Sequence, residues 1–306
     1  MKCFYADQFV LPLPDGHRFP MRKYARLRER LLSEGVVTPD DLHVPPAATD
    51  AEILRCHDLD YYERAKTGQL TEAELRRIGF PWTPQMIERS RRSSGATLAA
   101  ARAALAGDGM AANLAGGTHH ACRDHGEGFC VFNDAAITAR AMQAEGLARR
   151  VVVIDCDVHQ GNGTADITRG DSTIFTFSIH GEKNFPFRKV AGDLDIGLPD
   201  GTTDDTYLEL VHEGTQRALM MSGADLAIYI AGADPYEGDR LGKLKISKAG
   251  LLARDKIVFE LCERAGLPVA IAMGGGYARD IEDIVDIHVQ TIRLAVERVR
   301  AWTARR

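Results

Sequence analysis

Residues 151–165 read VVVIDCDVHQGNGTA. Four β-branched apolar residues in succession fit a strand covered on both faces, since a half-exposed strand would alternate. The run then meets Asp155, Asp157 and His159 before Gly161, Asn162 and Gly163 turn the chain. In extended backbone alternate residues share a side, so these three polar groups point together while Cys156 and Val158 point the other way. Two carboxylates and an imidazole in one semi-buried place repel each other or lose solvation unless a cation unites them. Such a nitrogen and oxygen donor set suits Zn²⁺ or another first-row divalent ion, and the parity of Cys156 assigns it to packing.

Outward from this segment, strand-length apolar runs recur at 2–6, 109–116, 172–179, 225–232 and 267–275. Helical spacing lies between them, over 85–106, 133–146, 204–221, 248–265 and 281–301. Nearly continuous apolar strands alternating with helices predict a mostly parallel sheet in a three-layer α/β/α arrangement. No repeat, low-complexity tract or Pro/Gly linker divides the chain, so 1–306 reads as a single domain. The first 80 residues are less regular, with loops at LPLPDGHRFP (11–20) and HVPPAATD (43–50) around a basic amphipathic helix, MRKYARLRERLLSEG.

Several strands finish in chemically capable residues. The 109–116 run leads to His119 and His120, the 172–179 run to Ser178, Ile179 and His180. The 225–232 run leads to Asp234, and the last run to Gly274–Gly276 and Tyr277. In open parallel sheets ligands bind outside the carboxyl ends of the strands. A catalytic zinc usually takes three protein ligands and keeps one open position, and Asp234 is the natural third beside Asp157 and His159. Taken singly, an Asp-x-Asp-x-His also arises as caps and turn bonds, and tandem histidines are common on surfaces. Their joint placement at strand ends favours a metal site.

Composition narrows the role. The chain has 306 residues, 45% hydrophobic and 26% charged, with a formal net charge of −5 and no dense Lys/Arg block. Nucleic-acid binding is therefore not expected. The Arg-rich end, RLAVERVRAWTARR, reads as the solvated face of a last helix. Six cysteines without a CxxC pair suggest packed thiols in a reducing compartment. With no apolar run of membrane length and no basic-plus-apolar leader, a cytoplasmic protein without membrane contact is expected.

The segments GGTHHACRDHGEGFCVFNDAAI, VVVIDCDVHQGNGTA, AGADPYEGDRLGKLKIS and MGGGY together resemble the histone deacetylase family, with its acetylpolyamine amidohydrolase and acetoin-utilisation members. DVHQGNG, GTTDDTYLELV, EGDRLGKLKISKAGLLARDKIVFE and VLPLPDGHRFPMRKY look most like its class IV branch. The likeness runs from about residue 4 to about residue 295 and implies an arginase/deacetylase-like fold. It implies Asp157, His159 and Asp234 as ligands of Zn²⁺, or of Fe²⁺ in vivo. By position, His119 and His120 match the tandem catalytic histidines and Tyr277 the tyrosine that polarises the substrate carbonyl. Gly128 and Phe129 match the walls of an acyl-lysine channel, with Phe185 or Phe187 opposite and Leu241 beside them. A structural K⁺ site is implied at Asp155, Asp157, His159, Ser178 and Ile179, and HRFP (17–20) falls at the channel mouth. Where some classes have an aspartate supporting the second histidine, Asn162 stands here; an amide favours neutral His120, while Asp155 serves His119 ionically.

The resemblance implies metal-assisted amide hydrolysis, with an acylated lysine peptide or protein, or an acylated small amine such as a polyamine, as substrate. An arginase-like dimanganese hydrolase would need further carboxylates, yet AGADPYEG offers one aspartate at its strand end. A non-catalytic acyl-lysine binding module would be expected to lack a ligand, a histidine or the tyrosine. Acyl length and oligomeric state are not readable. At the expected mouth only Asp15, Glu182 and Glu237 offer negative charge to a cationic substrate.

Overall fold

Apolar runs that cannot tolerate water on either side must be covered on both, and the chain meets that demand with one wrapped sheet. The computed structural model describes residues 1–14 and 16–303, with side chains described as far as 300. Asp15 and residues 304–306 of the basic tail lie outside the described residues. In chain order the first half gives β1 (Cys3–Phe4), α1 (Lys23–Ser33), β2 (Leu42–His43), α2 (Asp50–Ile53), α3 (Leu59–Thr67), α4 (Glu72–Ile78), α5 (Pro84–Ala103), β3 (Met110–Asn113) and α6 (Asp134–Ala144). The second half gives β4 (Val151–Asp155), α7 (Asn162–Thr168), β5 (Ile174–Gly181), β6 (Leu194–Leu198), α8 (Asp204–Ser222), β7 (Leu226–Ile230), α9 (Lys248–Arg264), β8 (Val269–Ala272) and α10 (Ile281–Thr303).

The strands form one eight-stranded sheet in the order β2-β1-β3-β8-β7-β4-β5-β6. Every neighbouring pair is parallel. Strand β4 shows why both faces are dry. Val152 and Ile154 pack with Leu27 of α1, Val211 of α8, Val258 of α9 and Ile292 of α10. Val151 and Val153 face the opposite core, with Tyr62 of α3, Leu98 of α5 and Ile137 of α6. Each such side chain, fully buried, contributes roughly 1.5–3 kcal/mol.

The basic helix α1 turns its charge toward the fold rather than to a partner. Arg26 and Arg30 bond Glu282 of α10 at 2.8 and 3.1 Å, and Arg28 bonds Asp7 at 2.9 Å. The long helix expected over 85–106 ends at Ala103 and continues as a π-turn over 104–108, because Gly107 takes φ 124°. The irregular early region holds three short helices. Capping boxes start two of them, Thr49 with Glu52 and Thr71 with Glu74. Among the described residues, no helix is long and apolar enough to cross a membrane.

Strands β3, β8, β7, β4 and β5 are consecutive in the sheet. These are the strands whose ends carry the polar residues singled out above, so one edge of the sheet collects them.

Candidate active site

At the end of β4, Asp155 turns its carboxylate to His119, whose Nδ1–H donates to Oδ2 at 2.6 Å. Two residues on, Asp157 and His159 meet Asp234 from the loop after β7. His159 Nδ1 lies 3.0 Å from Asp157 Oδ1 and 3.1 Å from Asp234 Oδ2. Donor atoms from the three residues all lie within 4.8 Å of one another, and all three residues are buried. Cys156 and Val158 point into the core, as their parity requires.

Loop β8–α10 closes this cluster at van der Waals range. Gly275 N–H donates to Asp157 Oδ2 at 2.7 Å. A Cβ on Gly275 would stand 1.9 Å from Asp234 Oδ2, so only glycine fits there.

The charge balance of the cluster is unusual. Burial opposes a charged His159, yet hydrogen bonds to Asp157 and Asp234 outweigh it and push its pKa up to about 10. Burial, then the Asp157 charge, pushes Asp234 up to about 7. With Asp155, three buried carboxylates thus meet two imidazoles in a dry place. A divalent ion supplies what a single proton cannot, and the donor set fits one.

The tandem histidines differ from each other. Their rings lie 4.1 Å apart. Burial works against a charged His119, but attraction to Asp155 and Asp157 raises its pKa to about 9. His120 is held well below the usual histidine value by burial and by the positive charges of His119 and His159. Its Nδ1–H donates to Asn162 Oδ1 at 2.7 Å, which leaves Nε2 with a lone pair.

A histidine pair, an aspartate–histidine–aspartate cluster and a tyrosine loop on one sheet edge accompany a family match. The histone deacetylase domain matches residues 17–292. The chain belongs to the histone deacetylase family. It is 30% identical over 284 residues to histone deacetylase 2 of Arabidopsis thaliana, covering 88% of this chain and 73% of that protein. It is 29% identical over 283 residues to a histone deacetylase-like amidohydrolase of Pseudomonas aeruginosa, covering 87% of this chain and 74% of that protein. The fold is similar to that of an HDAC homologue complexed with SAHA, with a TM-score of 0.84, 24% identity, and coverage of 97% and 84%.

A channel leads down to His159 of the buried cluster. Its cavity of about 400 Å³ is lined by His120, Gly128, Phe129, Phe185, Leu241 and Tyr277, among others. Phe185 forms the inner wall, its ring 4.9 Å from that of His120, while Phe187 lines the same cavity farther out, 88% exposed. Gly128 is at φ +57°, and a Cβ there would meet His120 Cδ2 at 2.7 Å and Phe185 Cε1 at 3.0 Å. Phe129 takes φ 66° as a non-glycine residue and packs between Phe19, Phe80 and Tyr277. A smaller chamber of about 40 Å³ lies beyond, touching Asp157, His159, Gly117, Tyr24 and Cys130.

Tyr277 is fixed by its backbone. Its N–H donates to Asp239 Oδ2 at 2.6 Å, and its carbonyl accepts from Arg240 Nε at 2.8 Å. Burial and the charges of Asp234 and Asp157 hold the phenol well above its ordinary pKa, so it stays a donor.

Ser178 sits opposite Asp155 in the β4–β5 register, and its Oγ bonds His180 Nδ1 at 3.0 Å. Ile179 belongs to the core.

Several supporting residues carry no local sequence signal. Asp239 also accepts from Leu241 and Gly242 N–H, tying the channel wall to the Tyr277 loop. Buried Lys23 reaches the carbonyls of Gly274 and Gly276 at 3.5 and 3.3 Å. Glu127 accepts from Asn162 Nδ2 at 2.5 Å, so Asn162 bridges it to His120. Cys122, His125 and Glu127 form a second group with ligand-type atoms. There Glu127 is committed to Asn162, and burial pushes the Cys122 thiol up to about 12, which opposes metal binding.

Proposed function

We propose that the protein is a zinc-dependent deacylase that hydrolyses the amide of an acylated amine such as Nε-acyl-lysine. The convergence of Asp157, His159 and Asp234 on one point, beside a histidine pair and a buried phenol, carries this reading. Three protein donors, of which Asp157 and His159 border the channel and its inner chamber, suit a catalytic rather than a structural zinc. When bound, a divalent ion there would polarise the acyl carbonyl and acidify a water molecule.

The protein's own groups supply the rest. His120, kept neutral by burial and by its charged neighbours, takes a proton from the attacking water at Nε2. His119, ionised beside Asp155, adds positive charge where the tetrahedral oxyanion develops. Tyr277 donates its hydroxyl proton to that oxyanion in a hydrogen bond. The proton held by the histidine pair passes to the departing amine. Since one water needs on the order of 10–15 Å³ of comparable space, the chamber of about 40 Å³ holds a few heavy atoms. This favours acetyl over a long acyl chain, despite the class IV likeness of DVHQGNG and EGDRLGKLKIS. The same reading gives Asp155, Asp157, His159, Ser178 and Ile179 a K⁺ ion; thermal stability equal in K⁺ and in tetramethylammonium salts would argue against it.

The decisive test pairs metal content with turnover. Wild-type protein loaded with Zn²⁺ is expected to hold one catalytic ion and to cleave acetyl-lysine peptides. Tyr277→Phe is expected to keep the ion while kcat falls by about 10²–10³. Full turnover by metal-replete Tyr277→Phe, or two metals per chain, would overturn the assignment.

A further inference from the structure

The outer wall of the channel is basic. Arg18, Arg77, Lys183 and Lys243 line the same cavity as His120, His159 and Tyr277. They come from four separate parts of the chain: the loop after β1, helix α4, the loop after β5 and the loop after β7. Among the described residues no carboxylate lines this cavity, and none of the four cations makes an ion pair. Lys243 Nζ bonds only the carbonyl of Lys183, at 3.1 Å. Glu127, the nearest acid in sequence to Gly128, is held by Asn162.

This differs from the arginines that lace the helices of the early region. Arg26, Arg28, Arg30, Arg64 and Arg102 each meet a carboxylate within 3.1 Å. On a protein of formal net charge −5, the four rim cations converge on one opening that no described carboxylate lines. Like charges converging on a low-dielectric cleft repel one another and focus a positive potential into it. A negative group on the incoming molecule relieves that repulsion.

We infer that this mouth selects acylated amines carrying negative charge, such as carboxylates, within a residue or two of the scissile amide. The inference rests on the deacylase reading of the site below. It names the substrate class: an acyl-lysine flanked by acidic residues, or a free acylated amino acid, rather than a lysine-rich tail or a polyamine. Acylated polyamines and basic tails would bring cations against Arg18, Arg77, Lys183 and Lys243.

The experiment uses Zn²⁺-loaded full-length protein and acetyl-lysine peptides with Asp, Ala or Lys at the two flanking positions. Nε-acetyl-lysine with a free or an amidated carboxyl forms a small-molecule arm, and N-acetylputrescine the polyamine arm. At low salt, kcat/KM for the Asp peptide is expected to exceed that for the Lys peptide by about tenfold or more. The ratio should shrink toward one near 1 M salt, where the screening length is about 3 Å. The double substitution Arg77→Glu with Lys183→Glu should invert the order. A preference confined to free-carboxylate acetyl-lysine would identify small molecules as the anionic source, and one confined to peptides would identify acidic protein segments. Equal rates for all three peptides together with equal rates for free and amidated acetyl-lysine, or a preference for the Lys peptide or for the polyamine, would overturn the inference and leave the deacylase reading intact. If nothing is cleaved, that reading falls, and Kd values for the same peptides by calorimetry decide the rim by the same ordering.

Discussion

Two clusters of buried charge meet beneath the carboxyl edge of the sheet, and they are built on opposite plans. In one, Arg254 of α9 donates from Nε to Asp255 Oδ1 at 2.9 Å. The same carboxylate accepts from Tyr229 and Thr291 hydroxyls, each at 2.5 Å. Every charge there has its opposite, and the group is closed to solvent. In the other, Asp157 and Asp234 share His159, and a channel opens onto them. Arg254 joins the two, donating from Nη1 to the carbonyls of Gly232 and Cys156, which flank the ligand residues. Burial of charge alone therefore does not mark a site. An uncompensated excess of one sign with access from outside does.

The contrast is broken most directly by removing one aspartate from each cluster. Asp234→Ala is expected to lose bound zinc and all hydrolysis. In metal-free protein its cost to stability should be the smaller of the two, because the lost bond from Val158 N–H is offset by relief of the competition between two buried carboxylates. Asp255→Ala is expected to do the reverse. It strands the Arg254 charge and the Tyr229 hydroxyl in the core, while Thr291 keeps the Ile287 carbonyl, and such a change costs about 3–5 kcal/mol. Urea midpoints and zinc content measured on both variants separate these outcomes. A stable Asp255→Ala protein would show that Arg254 finds water, and a zinc-replete Asp234→Ala protein would remove the proposed ligand.

Buried imidazoles sharpen the same difference. His159 sits among carboxylates and is pushed up, whereas His57 sits among backbone groups and is pushed down. Burial lowers the His57 pKa to about 4, with Nδ1–H donating to the Cys122 carbonyl and Nε2 accepting from Asn133 N–H. In the unfolded chain a histidine titrates near 6.5. The unfolded state therefore binds a proton first, and stability falls as pH drops from about 6.5 toward about 4. His57 alone is expected to account for on the order of 3 kcal/mol of that loss. Denaturation midpoints across this window should show a shallower slope in His57→Gln than in wild type. Equal slopes would mean that His57 is not the group being protonated.

Much of this architecture was legible because it follows from period and parity. The apolar run at 151–154 predicts a strand dry on both faces, and alternation sends Asp155, Asp157 and His159 one way and Cys156 the other. Strands β2 and β6 escaped because each lies at an edge of the sheet. Leu42–His43 is only two residues long, and Leu194–Leu198 is interrupted by Asp195 and Gly197. The small helices α2 and α4 did leave a signal, Thr49 and Thr71 each followed three residues later by glutamate. The basic mouth had no such trace. Arg18, Arg77, Lys183 and Lys243 are scattered along the chain, and only the convergence of three loops with helix α4 brings them together. Of the acids expected there, Asp15 lies outside the described residues, while Glu182 packs near Gly197 and Glu237 pairs its backbone with Ile246, neither lining the cavity.

The smallest effect tests the same distinction within the histidine pair. His119 has a carboxylate partner, while His120 has an amide whose orientation must be enforced. Asn162 presents Oδ1 to His120 because its Nδ2 is held by Glu127. Glu127→Gln removes that enforcement, since an amide can face either end of Asn162. A flipped Asn162 would turn Nδ2 toward His120 Nδ1, which then becomes an acceptor and leaves the proton on Nε2. The general base is lost in that fraction of molecules. Outer partners of this kind are typically worth 10–100-fold, and an amide that still accepts half the time sits at the low end, about tenfold in kcat. KM and zinc content should not change. Asn162→Asp made together with Glu127→Gln bypasses the orientation problem, because either carboxylate oxygen accepts from His120 and no second carboxylate faces it. It should also move the acidic limb of the kcat/KM profile upward, since a carboxylate favours the imidazolium. If Glu127→Gln retains wild-type kcat, or if the double variant leaves the acidic limb in place, the amide does not govern the charge state of His120.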